Sequence, residues 1–221
     1  MRYDDFLRGA AYLKETGLTV RPLLRTQGTL SPTLAAQLAA SEAAVEVNDG
    51  EALQALVTAG VRDLFFRCGG QTDAALTAAH GGCRYVLEDR AQLEQLDRVV
   101  QPLLPEGYLE NVAIRLLPTG GDEAFTEENL PQLARWIRRS QALAVRCVFL
   151  DLRAAADLSE AAKQGFSLVK KIRSDLPCIF HGFCFEGLLA PLCSGDERLR
   201  KTLEMLASLN DTSLYATFYL A

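Results

Sequence analysis

The sequence predicts an α/β protein folded as a single (β/α)8 TIM-type barrel. Three observations lead there. Short apolar, β-rich runs alternate with stretches of helical period along all 221 residues, and about eight such runs can be counted. The helices between them oblige consecutive strands to run parallel, because the chain returns to the same end each time. Eight such units close into a barrel. An open doubly wound sheet is the alternative, but no GxGxxG follows the first strand and the even spacing favours closure.

The elements follow in order. Residues 3–15 place Phe6, Ala10 and Leu13 on one face and read as a helix that Gly17 ends. LTVRPLL (18–24) is the first strand. A helix over about 31–41 follows, with Ser31 as N-cap and Pro32 at its first position. AAVEV (43–47) is a strand, 50–59 a helix, VRDLFFR (61–67) a strand and 72–79 a helix. CRYVL (83–87) is the fourth strand, and 89–103 the next helix. VAIRLLP (112–118) is the fifth strand, joined by the long loop TGGDEAFTEEN to a helix near 130–140. AVRCVFLDL (144–152) is the sixth strand and 159–173 a helix. PCIFHGF (177–183) carries the seventh strand, 196–209 another helix, and SLYATFYL (213–220) the last strand. No helix is expected after it, so the N-terminal helix is expected to cover the last strand. Neither a linker nor a low-complexity tract divides the chain, which reads as one domain over 1–221.

With 49% hydrophobic and 23% charged residues the composition is that of an ordinary globular protein. The net charge is −5 and the basic residues are scattered, without interleaved aromatics, which excludes nucleic acid as a partner. No apolar run approaches the roughly 18 residues of a spanning helix, so no membrane is expected. The N-terminal stretch is acidic and lacks an apolar core, so a cytoplasmic location is expected. Six cysteines (68, 83, 147, 178, 184 and 193) form no CxxC pair, and no metal site is expected. Cys68, just past a strand end, is the one to test for reactivity, although no histidine lies near it in sequence.

Ligands of such barrels bind at the C-terminal ends of the strands. Reading those ends in order gives Arg25; Glu46 and Asn48; Arg67 and Cys68; Glu88 and Asp89; Arg115; Asp151 and Arg153; and His181. Arg25, Arg67 and Arg115 are expected to converge, and a guanidinium cluster suits a carboxylate or phosphate. The same arginines could instead neutralise the acidic side chains standing between them, Arg115 with Glu88 or Asp151 above all. Asp151 and His181 are the candidate general bases. His80, before Gly81 and Gly82, suits a helix C-terminus.

Several stretches resemble the N-terminal barrel domain of the fold-type III decarboxylases, the diaminopimelate and ornithine type, to which alanine racemase is related. LFFRCGGQTDAALTAA (64–79) is similar to that family's VFHGNNKTDEEL, and VEVNDGEALQALVTAGV (45–61) to its DVVSGGELELALKAGV. YVLEDRAQLEQL resembles INVDSLEELERL, and VAIRLLPTG resembles VLLRINPG, in the same order and spacing. The resemblance implies a pyridoxal-phosphate barrel, yet its functional positions depart from the family. LLRTQ stands where ALKAN carries the Schiff-base lysine, so Arg25 replaces it, and arginine cannot form an imine. Asp151, in FLDLR, stands where the family's HIGS histidine would stack on the cofactor. HGFCFEG retains only Gly182 and Gly187 of the phosphate loop, and no counterpart is expected for EPGR after the eighth strand or for the β-rich second domain. Arg115 matches the family's strand arginine.

The expectation is therefore a degenerate, non-catalytic barrel with no bound cofactor. It would take a small anionic ligand or a partner protein at its mouth. Acid/base chemistry by Asp151 or His181 is the alternative, and residual pyridoxal-phosphate binding the third reading. Phe218 and Tyr219, expected to be exposed near the last strand, suggest a homodimer contact.

Overall fold

A computed structural model describes residues 3–41, 43–176 and 179–221. It is a closed barrel of eight parallel strands in sequence order, β1 pairing with β8. Helix α1 (Tyr3–Thr16) precedes β1 (Arg21–Arg25), and Gly17, at φ 68°, ends it in the left-handed conformation. Then come α2 (Pro32–Ala40), β2 (Ala44–Val47), α3 (Gly50–Ala59), β3 (Leu64–Arg67), α4 (Asp73–Ala79), β4 (Arg84–Leu87) and α5 (Arg90–Val100). A single 3-10 turn (Gln101–Leu103) leads to β5 (Glu110–Leu116). The second half runs α6 (Leu130–Arg139), β6 (Leu143–Asp151), α7 (Leu158–Asp175), β7 (Gly182–Glu186), α8 (Leu189–Cys193), α9 (Glu197–Ser213) and β8 (Thr217–Leu220).

One device recurs where strands hand over to helices. The side chains of Ser31, Asp49, Thr72, Asp89, Asp157 and Asp196 each accept a hydrogen bond from the backbone N–H three residues on. Each satisfies one orphan donor of a helix start and contributes about 1 kcal/mol. These caps fix where the loops above the strand ends turn into helices.

Alternation along each strand sends one set of side chains out to the helices and one into the barrel. The inward set makes a dry middle layer of Leu23, Ala44, Phe65, Val86, Ala113, Cys147, Phe149, Cys184 and Tyr219. Phe65 packs edge-on against Phe149 at 5.0 Å and against Tyr219 at 5.7 Å. At the N-terminal end Asp63 accepts hydrogen bonds from Arg21 Nη1 (2.7 Å) and Tyr219 Oη (2.7 Å) and pairs with Arg84, whose guanidinium lies 4.3 Å over the Phe65 ring. That end is plugged.

Four expectations need correction. The seventh strand is not 177–183 but Gly182–Glu186, and α8 was not foreseen. Pro177 and Cys178, the first two residues of the expected strand, lie outside the described residues. Phe218 and Tyr219 are not exposed: each is 1% accessible, one facing the helices and the other the barrel interior. The aromatic that is exposed there is Tyr215, which ends α9 at φ 53° with its N–H on the Asn210 carbonyl. Cys68 is fully buried, and burial first, then the neighbouring Cys83, pushes its thiol well up, so it is a core residue and not a nucleophile.

Candidate functional site at the strand C-termini

Two residues beyond the middle layer, the same alternation places a ring of charge. Leu23 leads to Arg25, Ala44 to Glu46, Phe65 to Arg67, Val86 to Glu88, Ala113 to Arg115, Phe149 to Asp151 and Cys184 to Glu186. The eighth member, two beyond Tyr219, is Ala221, which brings no side chain beyond a methyl.

Arg115 is the hub. It is 1% exposed, and its guanidinium donates to three carboxylates at once. Nε reaches Glu186 at 2.7 Å, Nη1 reaches Glu88 at 2.6 Å, and Nη2 binds Glu46. The Phe149 ring lies 5.2 Å beneath the guanidinium. Burial works against the charge of Arg115, but Glu46, Glu186 and Glu88 outweigh it and hold it charged more firmly than usual.

The two buried carboxylates respond in opposite directions. Burial pushes Glu46 up, but Arg115, Arg25 and Arg67 together pull it below the ordinary carboxylate range. Burial also pushes Glu186 up; Arg115 and Arg25 do not fully offset it, and Glu46 repels it, so it ends above that range. The number of guanidiniums each one meets accounts for the difference. Arg67 Nε donates to Glu46 at 3.0 Å. Arg25 Nη1 donates to Glu186 at 3.0 Å, while its Nε, buried and 3.3 Å from Glu46 Oε2, makes no hydrogen bond among the described residues. Glu88 remains a quarter exposed.

The other expected residues fall into place around this hub. Asp151 is bidentate to Arg153, with Nε at 2.8 Å, and that hydrogen bond holds its carboxyl below the usual range. Asn48 lies one step above Glu46; its carbonyl accepts from Gln71 Nε2 at 2.8 Å, and its Oδ1 is buried without a hydrogen-bond partner among the described residues. His181 is a correction. It precedes β7, so it sits at the N-terminal end of the barrel, opposite the mouth, where partial burial and then Arg146 and Arg84 keep it less basic than usual. His181 and Asp151 therefore cannot act on one substrate. His80 caps the end of α4 and pairs with Glu110 at 2.6 Å.

Glu186 is the residue the sequence reading missed. Two apolar runs, CIF and FCF, flank His181 and Gly182; the strand expected at CIF put His181 at its end, whereas FCFE is the strand and carries Glu186 at its end. Gly187 is required there for two reasons. Its φ is +90°, and a Cβ would stand 2.5 Å from Arg153 Cγ and 3.0 Å from Arg153 Cα.

Beside the hub a cleft of about 910 Å³ opens between α1, β1 and α8. It lies where Ala221 leaves the ring one side chain short. Tyr12, Glu15, Arg153 and Cys193 line it together with Arg25 and Glu186 of the charged ring. Its size is that of a small-molecule site.

All five lysines lie on helices, Lys14 on α1, Lys163, Lys170 and Lys171 on α7, and Lys201 on α9, and none lines the cleft. The backbone N–H groups of Gly187, Leu188 and Leu189, at the loop after β7, all point at the Ala221 carbonyl oxygen, at 2.6, 3.1 and 3.4 Å. Among the described residues, no group of three or more His, Cys, Asp or Glu side chains is placed to hold a metal ion, and no helix is long and apolar enough to cross a membrane.

No family model and no curated protein sequence matches the chain. Solved structures do. The protein AQ1208 from Aquifex aeolicus superposes with a TM-score of 0.73 at 17% identity over 98% of this chain and 54% of its own. Diaminopimelate decarboxylase from Helicobacter pylori, complexed with L-lysine, gives 0.71 at 14% identity over 98% of this chain and 60% of its own. The arginine decarboxylase of Paramecium bursaria Chlorella virus, bound to agmatine, gives 0.70 at 10% identity over 98% and 62%. The chain thus spans between about half and three-fifths of these proteins. Over that span, it has the fold of the barrel domain of the diaminopimelate, ornithine and arginine decarboxylases.

Proposed function

We propose that this barrel does not work with pyridoxal phosphate and instead binds a small carboxylate or phosphate anion in the cleft at Arg25. The observation that carries the reading is the state of Arg25. By resemblance it stands where the decarboxylases keep the cofactor lysine, and it is a permanent cation on the wall of a ligand-sized cleft with one buried donor unsatisfied. The other two arginines are committed elsewhere: Arg115 to three carboxylates, Arg67 to Glu46. The three-arginine anion site thus narrows to Arg25, with Arg153 at the rim. A non-catalytic role agrees with the separation of Asp151 from His181 by the length of the barrel. The free cysteines among the described residues suit a reducing, cytoplasmic setting.

The test has two arms. Titration with pyridoxal phosphate should give no saturable absorbance shift and no borohydride-trapped adduct. Titration with small carboxylates and phosphates should raise the unfolding temperature saturably, and Arg25→Gln should abolish that rise. A trapped lysine adduct, or turnover of an amino acid by the purified protein, would overturn the proposal.

A further inference from the structure

Arg25 cannot accept an anion for nothing, because both of its carboxylate neighbours already lean on it. Its Nη1 hydrogen-bonds Glu186, and its Nε stands near Glu46 without a hydrogen bond. An anion arriving from the cleft competes with one of them for the guanidinium. Glu46 lies deeper and is held by Arg115 and Arg67 as well. Glu186 lines the cleft itself, and without Arg25 its one hydrogen-bonded cation among the described residues is Arg115, whose Nε lies at 2.7 Å.

The charged groups around Glu186 come from four strands. Arg25 faces it from β1, Glu46 from β2, Arg115 from β5, and Asp151 with Arg153 from β6, where Asp151 is its partner in register. Cys184, on its own strand, is buried and carries no charge to offset it. A carboxylate 1% exposed that loses one of the two cations hydrogen-bonded to it, with Glu46 beside it, is left with its desolvation poorly compensated.

Building on the reading that the cleft binds an anion at Arg25, we infer that binding is an exchange: the anion displaces the Glu186 carboxylate from Arg25, and Glu186 takes up one proton from solvent. For a singly charged anion the charge of the mouth is then conserved, since its negative charge is matched by the one neutralised on Glu186; a dianion such as sulfate adds one net negative charge. Burial already raises the proton affinity of Glu186 in the free protein, which is the direction the exchange needs. The ring works as an anion–proton co-binding site, tightening as the pH falls.

Sulfate is the probe, because it does not itself titrate near neutrality. Calorimetry of sulfate binding from about pH 6 to about pH 8.5, in buffers of different ionisation heat, should show an affinity falling towards about tenfold per pH unit and an uptake approaching about one proton per anion. Glu186→Gln should bind sulfate with an affinity that no longer depends on pH. Equal affinity across the range with no buffer-dependent heat in the unaltered protein would refute the exchange and leave the anion site standing. No sulfate binding at any pH by the folded protein would overturn both. The buffer comparison uses the unaltered chain, so the inference stays testable even where Glu186→Gln does not fold.

Discussion

At the N-terminal end of the barrel one carboxylate, Asp63, serves Arg21, Arg84 and Tyr219; at the C-terminal end Glu46, Glu88 and Glu186 share Arg115, flanked by Arg25, Arg67 and the Asp151–Arg153 pair. Both ends keep charge out of water by pairing it, yet only one leaves room. The lower network is closed off by the Arg84 guanidinium laid over the Phe65 ring of the middle layer and by the Tyr219 hydroxyl on Asp63. The upper layer meets Ala221 where an eighth long side chain would stand, and the cleft opens there. Ion pairing by itself thus leaves no room for a ligand; a missing side chain beside a donor not fully used provides it.

The sharpest way to break this comparison is Arg115→Met. It leaves three carboxylates, two of them buried, facing one another, and should cost about 3–5 kcal/mol in urea unfolding. A loss below about 1 kcal/mol would mean that Arg25 and Arg67 suffice to hold the mouth. Asp63→Asn comes next. It keeps the shape of the lower network but removes its only negative charge from two arginines, and should cost about 2–3 kcal/mol while leaving sulfate binding at the far end unchanged. Altered sulfate binding in that variant would mean that the two ends are coupled through the middle layer.

The smallest effect is the pH dependence of stability. Glu46 titrates lower in the folded than in the unfolded chain, so its contribution is present above the unfolded value and is lost as the pH falls through the folded one. Glu186 titrates higher when folded, so the folded state holds its proton longer, and stability declines as the pH rises from the ordinary carboxylate range through the raised value. The stability curve should therefore bend down on both sides, and Glu186→Gln should remove the upper bend alone. A curve with an unchanged upper bend would assign it to another group.

Much of this was legible in the sequence. Period-two alternation located seven of the eight strands and, through their ends, every member of the charged ring except Glu186. The exception has a plain cause. CIF and FCF are equally apolar and nearly adjacent, so hydrophobicity could not choose between them, and choosing the first carried His181 to the wrong end of the barrel. Which role the arginines play was not legible, since a list of strand ends carries charges but no distances. Arg115 reads the same whether it grips a ligand or three glutamates. The cleft was also out of reach, because it is made by Ala221, α1 and the short α8, a helix too brief to show any period.

Closure of the barrel has a consequence in time. The hydrogen bond from Arg25 to Glu186 joins residues 161 apart in the chain, that from Tyr219 to Asp63 residues 156 apart, and the seam where Arg21 meets Tyr219 is longer still. Contacts of such separation are reached after the neighbouring βα units have paired, because the entropy of closing so large a loop must be met before they return anything. Both polar ends are thus late acquisitions of the folding chain. Their chief kinetic effect is on how slowly the finished barrel opens, and weakening them should quicken unfolding far more than it slows folding.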